Sequence, residues 1–82
     1  MFVIYGVTDC PYCLRAQALC MEKEAQYAWV NMDWSKDCRE WIKTTFSWNT
    51  YPIITKLEFE TGDENIVGGF EELKQKLLSH EE

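Results

Sequence analysis

Apolar and polar residues alternate along this chain in blocks that each suggest one element. Phe2-Val3-Ile4-Tyr5 is a compact β-prone run, broken by Gly6 to Asp9. Good helix formers follow from about Pro11 to Glu24, with Ala16, Leu19 and Cys20 on one stripe at helical spacing. Tyr27 to Met32 reads as a second strand. Ser35 is a suitable N-cap for a second helix, in which Cys38, Trp41, Ile42 and Phe46 recur at i, i+3, i+4 and i+8. Ser47-Trp48-Asn49-Thr50 breaks that pattern. Pro52-Ile53-Ile54 opens a third strand, and the period-two alternation of Leu57-Glu58-Phe59-Glu60 extends it through Phe59. Thr61-Gly62-Asp63 is turn chemistry, and Asn65-Ile66-Val67 returns as a short fourth strand. After Gly68-Gly69, residues Phe70, Leu73 and Leu77 mark a last helix, with Glu71 and Glu72 in its first turn and Lys74 and Lys76 later, as the helix dipole favours. Ser79-His80-Glu81-Glu82 is expected to fray.

The order is therefore β-α-β-α-β-β-α. Strands one and two, joined through a helix, should be parallel with a right-handed crossover. The last two should form an antiparallel hairpin. The expected class is α/β: a four-stranded mixed sheet with three helices on its faces. Trp29 and Trp41 are expected in the core and Trp34 on the surface, with Trp48 either on the surface or lining a groove.

Composition narrows the function. A chain of 82 residues, 46% of them hydrophobic, is one domain (1–82) with a small core. A net charge of −6 argues against nucleic acid or an anionic membrane as partner. Met1 runs straight into the first strand with no signal-peptide pattern and no run long enough to span a bilayer, so the expected location is cytoplasmic. In a reducing cytosol the 4 cysteines point to redox chemistry or metal binding, whereas a disulfide-stapled scaffold needs an oxidising compartment.

The chemistry concentrates in Cys10-Pro11-Tyr12-Cys13, at the first strand–helix junction. Pro11 suits the first helical position, where a missing N–H costs nothing. Cys10 then becomes the N-cap, with its sulfur beside unpaired backbone N–H groups and the positive end of the helix dipole. At such a place a thiol pKa falls from about 8.5 into the range of roughly 3.5 to 7.5. Cys13, three residues on, shares the helix face and can reach Cys10. Together they form a reversible disulfide switch. Tetrahedral zinc wants four ligands, and there is no second paired spacing or nearby His to supply them. Cys20 and Cys38 lie on apolar stripes and read as small buried hydrophobes, and His80 reads as solvated surface.

The stretch Val3-Ile4-Tyr5-Gly6…Cys10-Pro11-Tyr12-Cys13-Leu14-Arg15-Ala16 resembles the start of dithiol glutaredoxins of the short bacterial or phage type. Thr50-Tyr51-Pro52-Ile53 is similar to that family's Thr-Val-Pro segment, whose proline is cis and faces the active-site thiol. Gly68-Gly69-Phe70-Glu71-Glu72-Leu73 is similar to its Gly-Gly motif at the start of the last helix. The resemblance implies a thioredoxin-like fold and a monomeric, glutathione-dependent oxidoreductase. Cys10 would be the nucleophile and Cys13 the resolving thiol. Tyr12 would flank glutathione, and the Tyr51 backbone beside Thr50 and Pro52 would pair with its cysteinyl part. The backbone of Phe70 and Glu71, after Gly69, would take the γ-glutamyl carboxylate, and Glu72 would face its ammonium. No metal is implied. Partners would be glutathione and disulfide-bearing proteins, with ribonucleotide reductase a candidate because small glutaredoxins commonly serve it.

The chain departs from the family pattern at several points. Val7 stands where relatives often carry a Lys or Arg for the glycyl carboxylate, leaving Lys43 as the nearest basic candidate. Glu72 replaces the usual Asp, Tyr51 a common Val, and Trp48 and Asn49 positions that are often Gln and Arg. Two other readings use the same residues: a redoxin reduced by thioredoxin reductase, and a module holding an iron–sulfur cluster between subunits through Cys10 and glutathione, which the stiff Pro11 disfavours.

Overall fold

A computed structural model of the chain describes residues 1–79. The element order is β1 (Phe2–Gly6), α1 (Pro11–Glu22), β2 (Tyr27–Asn31), α2 (Lys36–Phe46), β3 (Ile53–Leu57), β4 (Glu64–Gly68) and α3 (Phe70–Ser79). The strands form one sheet in the order β2-β1-β3-β4. β1 pairs parallel with β2 and antiparallel with β3, and β3 pairs antiparallel with β4. This is the mixed sheet expected from the chain order.

The two central strands explain why the sheet is covered on both faces. Phe2 and Ile4 of β1 and Ile54 of β3 point to one side, where they meet Ala16 and Cys20 of α1 and Leu73 and Leu77 of α3. Ile53 points to the other side and packs with Met32 and with Ile42 of α2. Strands buried on both faces carry near-continuous apolar runs. Fully burying one such Ile contributes about 1.5–3 kcal/mol. Thr55 is the buried polar exception. Its hydroxyl and the Tyr5 hydroxyl both donate to Glu64 Oε2, each at 2.6 Å, which ties β1, β3 and β4 together. Burial, followed by the neighbouring Glu64, pushes the Tyr5 phenol well above its ordinary value and keeps it a donor.

Several elements end differently from expectation. α1 stops at Glu22, two residues early. Glu24 takes a left-handed φ of 55°, the Ala25 N–H donates to Cys20 O (2.8 Å) and the Glu24 N–H to Met21 O (3.2 Å). This Schellman closure was hidden because Glu24 stands where Gly is usual. β2 ends at Asn31, one residue short. β3 ends at Leu57 rather than Phe59, because Glu58 to Asp63 close the hairpin turn and leave Phe59 68% exposed. Trp41 is not core: it is 57% exposed. Consecutive helical residues point about 100° apart, and the buried face of α2 is centred on the neighbouring Ile42. Trp29 packs partly buried against the first cluster, and Trp34 is exposed. Cys20 is fully buried, but Cys38 is only partly so. The two lie in separate clusters on opposite faces of the sheet. The expectations for His80 and the rest of the tail lie outside the described residues.

Candidate active site

The Cys10–Cys13 pair sits where β1 delivers the chain to α1. Cys10 is the N-cap, with extended backbone (φ −114°, ψ 101°), and Pro11 occupies the first turn. The Cys13 N–H donates to Cys10 Sγ at 3.2 Å, and the Leu14 N–H donates to Cys10 O at 3.2 Å. The cap thus uses sulfur where Ser or Asp would use oxygen. Cys10 and Cys13 are joined as a disulfide across a Cα–Cα distance of 5.2 Å. Cys10 is half-buried whereas Cys13 is 1% exposed. One sulfur therefore faces incoming reactants and the other waits behind it.

Val7 to Asp9 carry the chain from β1 to the cap, and the β2–α2 connection holds them in place. The Thr8 N–H donates to both carboxylate oxygens of Asp33 (3.1 and 3.0 Å), and the Thr8 hydroxyl donates to Oδ2. Asn31 Oδ1 accepts from the Asp33 N–H at 2.8 Å. Arg39 Nη1 donates to the carbonyls of Met32 and Asp33, fixing that loop in turn. The Thr8 hydroxyl and amide hold the Asp33 carboxyl below its usual range. Sequence reasoning missed this clamp, because Thr8, Asn31 and Asp33 fall in separate stretches with no shared motif.

Beside the disulfide lies an open groove of about 440 Å³. Three segments build it: Tyr12 from the first turn of α1, Thr50-Tyr51-Pro52 leading into β3, and Gly69-Phe70-Glu71-Glu72 at the start of α3. Every residue the sequence singled out around the two cysteines is thus brought to one surface. Trp48 completes the lining, which settles its place in the groove. The Tyr51–Pro52 peptide is cis. The rings of Tyr12 and Phe70 stand 5.9 Å apart and close one end, with Arg15 5.0 Å over the Tyr12 ring. Lys43 lies 5.1 Å over the ring of Tyr51.

The α3 end of the groove is capped from within. Glu72 Oε1 accepts from the Gly69 N–H at 2.8 Å, the reach-back half of a capping box. Gly68, at φ 131°, leaves room for it: a Cβ there would lie 2.6 Å from Glu72 Cγ. One carboxylate oxygen of Glu72 is therefore committed to the helix. Trp48 Nε1 is buried beside Gly69 and has no hydrogen-bond partner among the described residues. Also among the described residues, no three His, Cys, Asp or Glu side chains gather as a metal site, and no helix is long and apolar enough to cross a membrane.

A β-α-β-α-β-β-α chain with a half-exposed cap cysteine, a buried second cysteine and a cis-proline groove is a thioredoxin-fold thiol–disulfide oxidoreductase. The sequence profile of the glutaredoxins matches residues 2–56, and the chain belongs to that family. Among solved structures, it is similar to buckwheat glutaredoxin in complex with glutathione (22% identity, TM-score 0.75, 96% of this chain and 69% of that one). The glutaredoxin of Brucella melitensis shares 28% identity (TM-score 0.70, 90% and 74% covered). The holo form of glutaredoxin C1 from Populus tremula x tremuloides shares 24% (TM-score 0.75, 98% and 69%). No curated protein matches the chain.

Proposed function

We propose that this protein is a glutathione-dependent oxidoreductase that reduces protein disulfides and glutathione mixed disulfides through Cys10 and Cys13. The observation that carries the reading is the groove beside the disulfide, which combines an extended segment, a helix N-terminus and an aromatic flank. An extended tripeptide can lie along Thr50–Pro52 as an added strand. Its γ-glutamyl carboxylate suits the unpaired N–H groups at the start of α3. Glu72 Oε2 faces its ammonium while Oε1 keeps the cap. Lys43, over Tyr51, supplies the cation that Val7 does not.

In the reaction, the Cys10 thiolate attacks the glutathionyl sulfur of a mixed disulfide. The old S–S bond breaks, and its electron pair leaves on the substrate's sulfur, which takes a proton from water. A second glutathione then displaces Cys10 and carries away the first as glutathione disulfide. On a protein disulfide, Cys13 attacks the Cys10 mixed disulfide instead, closing the ring. A low thiol pKa supplies thiolate and improves Cys10 as a leaving group. Such turnover belongs to a reducing, glutathione-rich compartment such as the cytoplasm.

The test is the glutathione-linked assay on a small mixed disulfide. Wild type turns over, Cys10→Ser is inactive, and Cys13→Ser retains this activity but loses protein-disulfide reduction. Equal loss in two folded variants contradicts the division of labour. The Val7 position favours one second reading, reduction by thioredoxin reductase. NADPH with that enzyme, set against NADPH with glutathione and its reductase, separates the two.

A further inference from the structure

Trp29 is the one large side chain that meets both solvent beside Cys10 and the sulfur of Cys13. It belongs to β2 and pairs with Ile4 of β1, so its side chain rises on the α1 face of the sheet. Strand side chains lean along the strand. The ring reaches past Ile4 to Gly6, which has no side chain to stop it. A Cβ on Gly6 would lie 2.6 Å from Trp29 Cζ3 and 2.8 Å from Cys13 Sγ. The edge of the indole and the inner sulfur of the disulfide therefore meet over one bare α-carbon. Sulfur packs favourably about 5 Å from an aromatic ring, often at its edge. The same indole lines a surface cleft of about 360 Å³ together with Cys10, Leu14 and Gln17, whereas Cys13 has no place in that wall and is 1% exposed. Among the described residues, Cys10 Sγ accepts the Cys13 N–H, but no hydrogen-bond donor reaches Cys13 Sγ. Packing alone sets where that second sulfur points.

We propose that Trp29 is a positioning residue for the dithiol: its ring edge keeps Cys13 Sγ turned towards Cys10 and screens it from thiols arriving through the cleft. The proposal rests on the reading of Cys10 as nucleophile and Cys13 as resolving thiol, and it holds whichever thiol is exchanged. When the oxidised protein is opened, the incoming thiolate bonds to Cys10 Sγ and the Cys10–Cys13 bond breaks. Its electron pair leaves on Cys13 Sγ, which takes a proton from water. Attack on Cys13 instead would strand the adduct on the buried sulfur, and access decides between the two. Ring closure runs the other way and uses the same contact. A free thiol can occupy three staggered wells about its Cα–Cβ bond. The indole edge, with Gly6 beneath it, confines Cys13 to the well that faces Cys10. Closing the disulfide then costs less freedom, so Trp29 favours the oxidised ring and makes the dithiol a stronger reductant.

The experiment uses Trp29→Phe, which keeps an aromatic ring in the core but lacks the edge at Cζ3 and Cη2, with Trp29→Leu as a second variant should the first fold poorly. Two readouts are taken. In equilibrium with dithiothreitol, the constant for forming the Cys10–Cys13 disulfide falls about threefold in the variant, a potential about 14 mV less negative. A purely structural loss lowers the stability of oxidised and reduced protein alike and leaves this constant unchanged. In the reduced Cys10→Ser background, iodoacetamide modifies Cys13 at least about threefold faster once the ring edge is gone, by peptide mass spectrometry. Cys20 is the internal control: it lies about two turns further along α1, fully buried in the core cluster against which Trp29 packs. It stays unmodified if Trp29 acts on Cys13 alone. Failure of either shift, or Cys20 labelling in step with Cys13, overturns the proposal. If the reduced wild type is alkylated at Cys13 ahead of Cys10, the assignment of the nucleophile fails and takes the proposal with it.

Discussion

Gly6→Ala probes the packing beneath the disulfide. A Cβ on Gly6 would press on Cη2 of Trp29 and lie 2.6 Å from its Cζ3 and 2.8 Å from Cys13 Sγ. Carbon atoms at rest sit about 3.5–4.0 Å apart, so these neighbours must yield by about 1 Å. Neither yields easily. The indole is wedged against the first core cluster, and the sulfur is tied to Cys10. Overpacking of this kind costs about 1–3 kcal/mol, while replacing Gly by Ala within a strand returns about 0.5–1 kcal/mol. The net destabilisation expected is about 2 kcal/mol, near the upper end because both neighbours are stiff. For a domain of this size that lowers Tm by about 8–16 °C. Thermal unfolding followed by circular dichroism should show a larger drop in the oxidised protein, because a free Cys13 thiol can turn away. Trp29→Phe in the same chain should return part of the loss, with a coupling of about 0.5–3 kcal/mol. A Tm within about 2 °C of wild type in both redox states would refute the close approach of β1, Trp29 and the buried sulfur.

Glu72→Gln keeps the oxygen that accepts from the Gly69 N–H and removes the charge, so stability should hold while glutathione binding weakens. Glu72→Ala should lose both, with a stability cost of about 0.5–2 kcal/mol read from denaturant unfolding. Burial pushes the Cys20 thiol from its ordinary value near 9 to about 11. Iodoacetamide at pH 8 should therefore modify reduced Cys10 and spare Cys20 in the native protein, as mass spectrometry can check. Because the unfolded chain releases that proton first, stability should fall as pH rises from 9 to 11 in a denaturant titration. The Asp33 clamp works in the other direction. Its carboxyl is held low by Thr8, so its contribution is complete above the unfolded carboxyl range, about pH 4, and is lost as pH falls below it. Asp33→Ala should speed hydrogen exchange at the Thr8 amide at neutral pH; unchanged exchange would show that the clamp does not hold the loop.

The sequence made the site more legible than the element ends. Cys10, Pro11 and Cys13 could be placed from local rules alone, since a cap residue, a first-turn proline and a three-residue spacing act within one turn. Thr50–Pro52 and Gly69–Glu72 came from family resemblance, and only the fold shows them meeting Tyr12 on one surface. Trp41 was misread because a hydrophobic stripe fixes a helix face only to within about one residue, and the sheet beneath α2 chose Ile42 as its centre. Phe59 continued an alternation that no ladder supports, as the hairpin closes from Glu58. The Thr8–Asp33 clamp left no trace in the sequence, because it depends on β2 lying beside β1 and on the loop that β2 leads into.

The account depends on Cys10 Sγ being a thiolate at neutral pH in the reduced protein, held by the N-terminus of α1. Thiolate absorbance at 240 nm, titrated on wild type and on Cys10→Ser, measures this directly. A difference curve with its midpoint below pH 7 is predicted; a midpoint above pH 8 would contradict it.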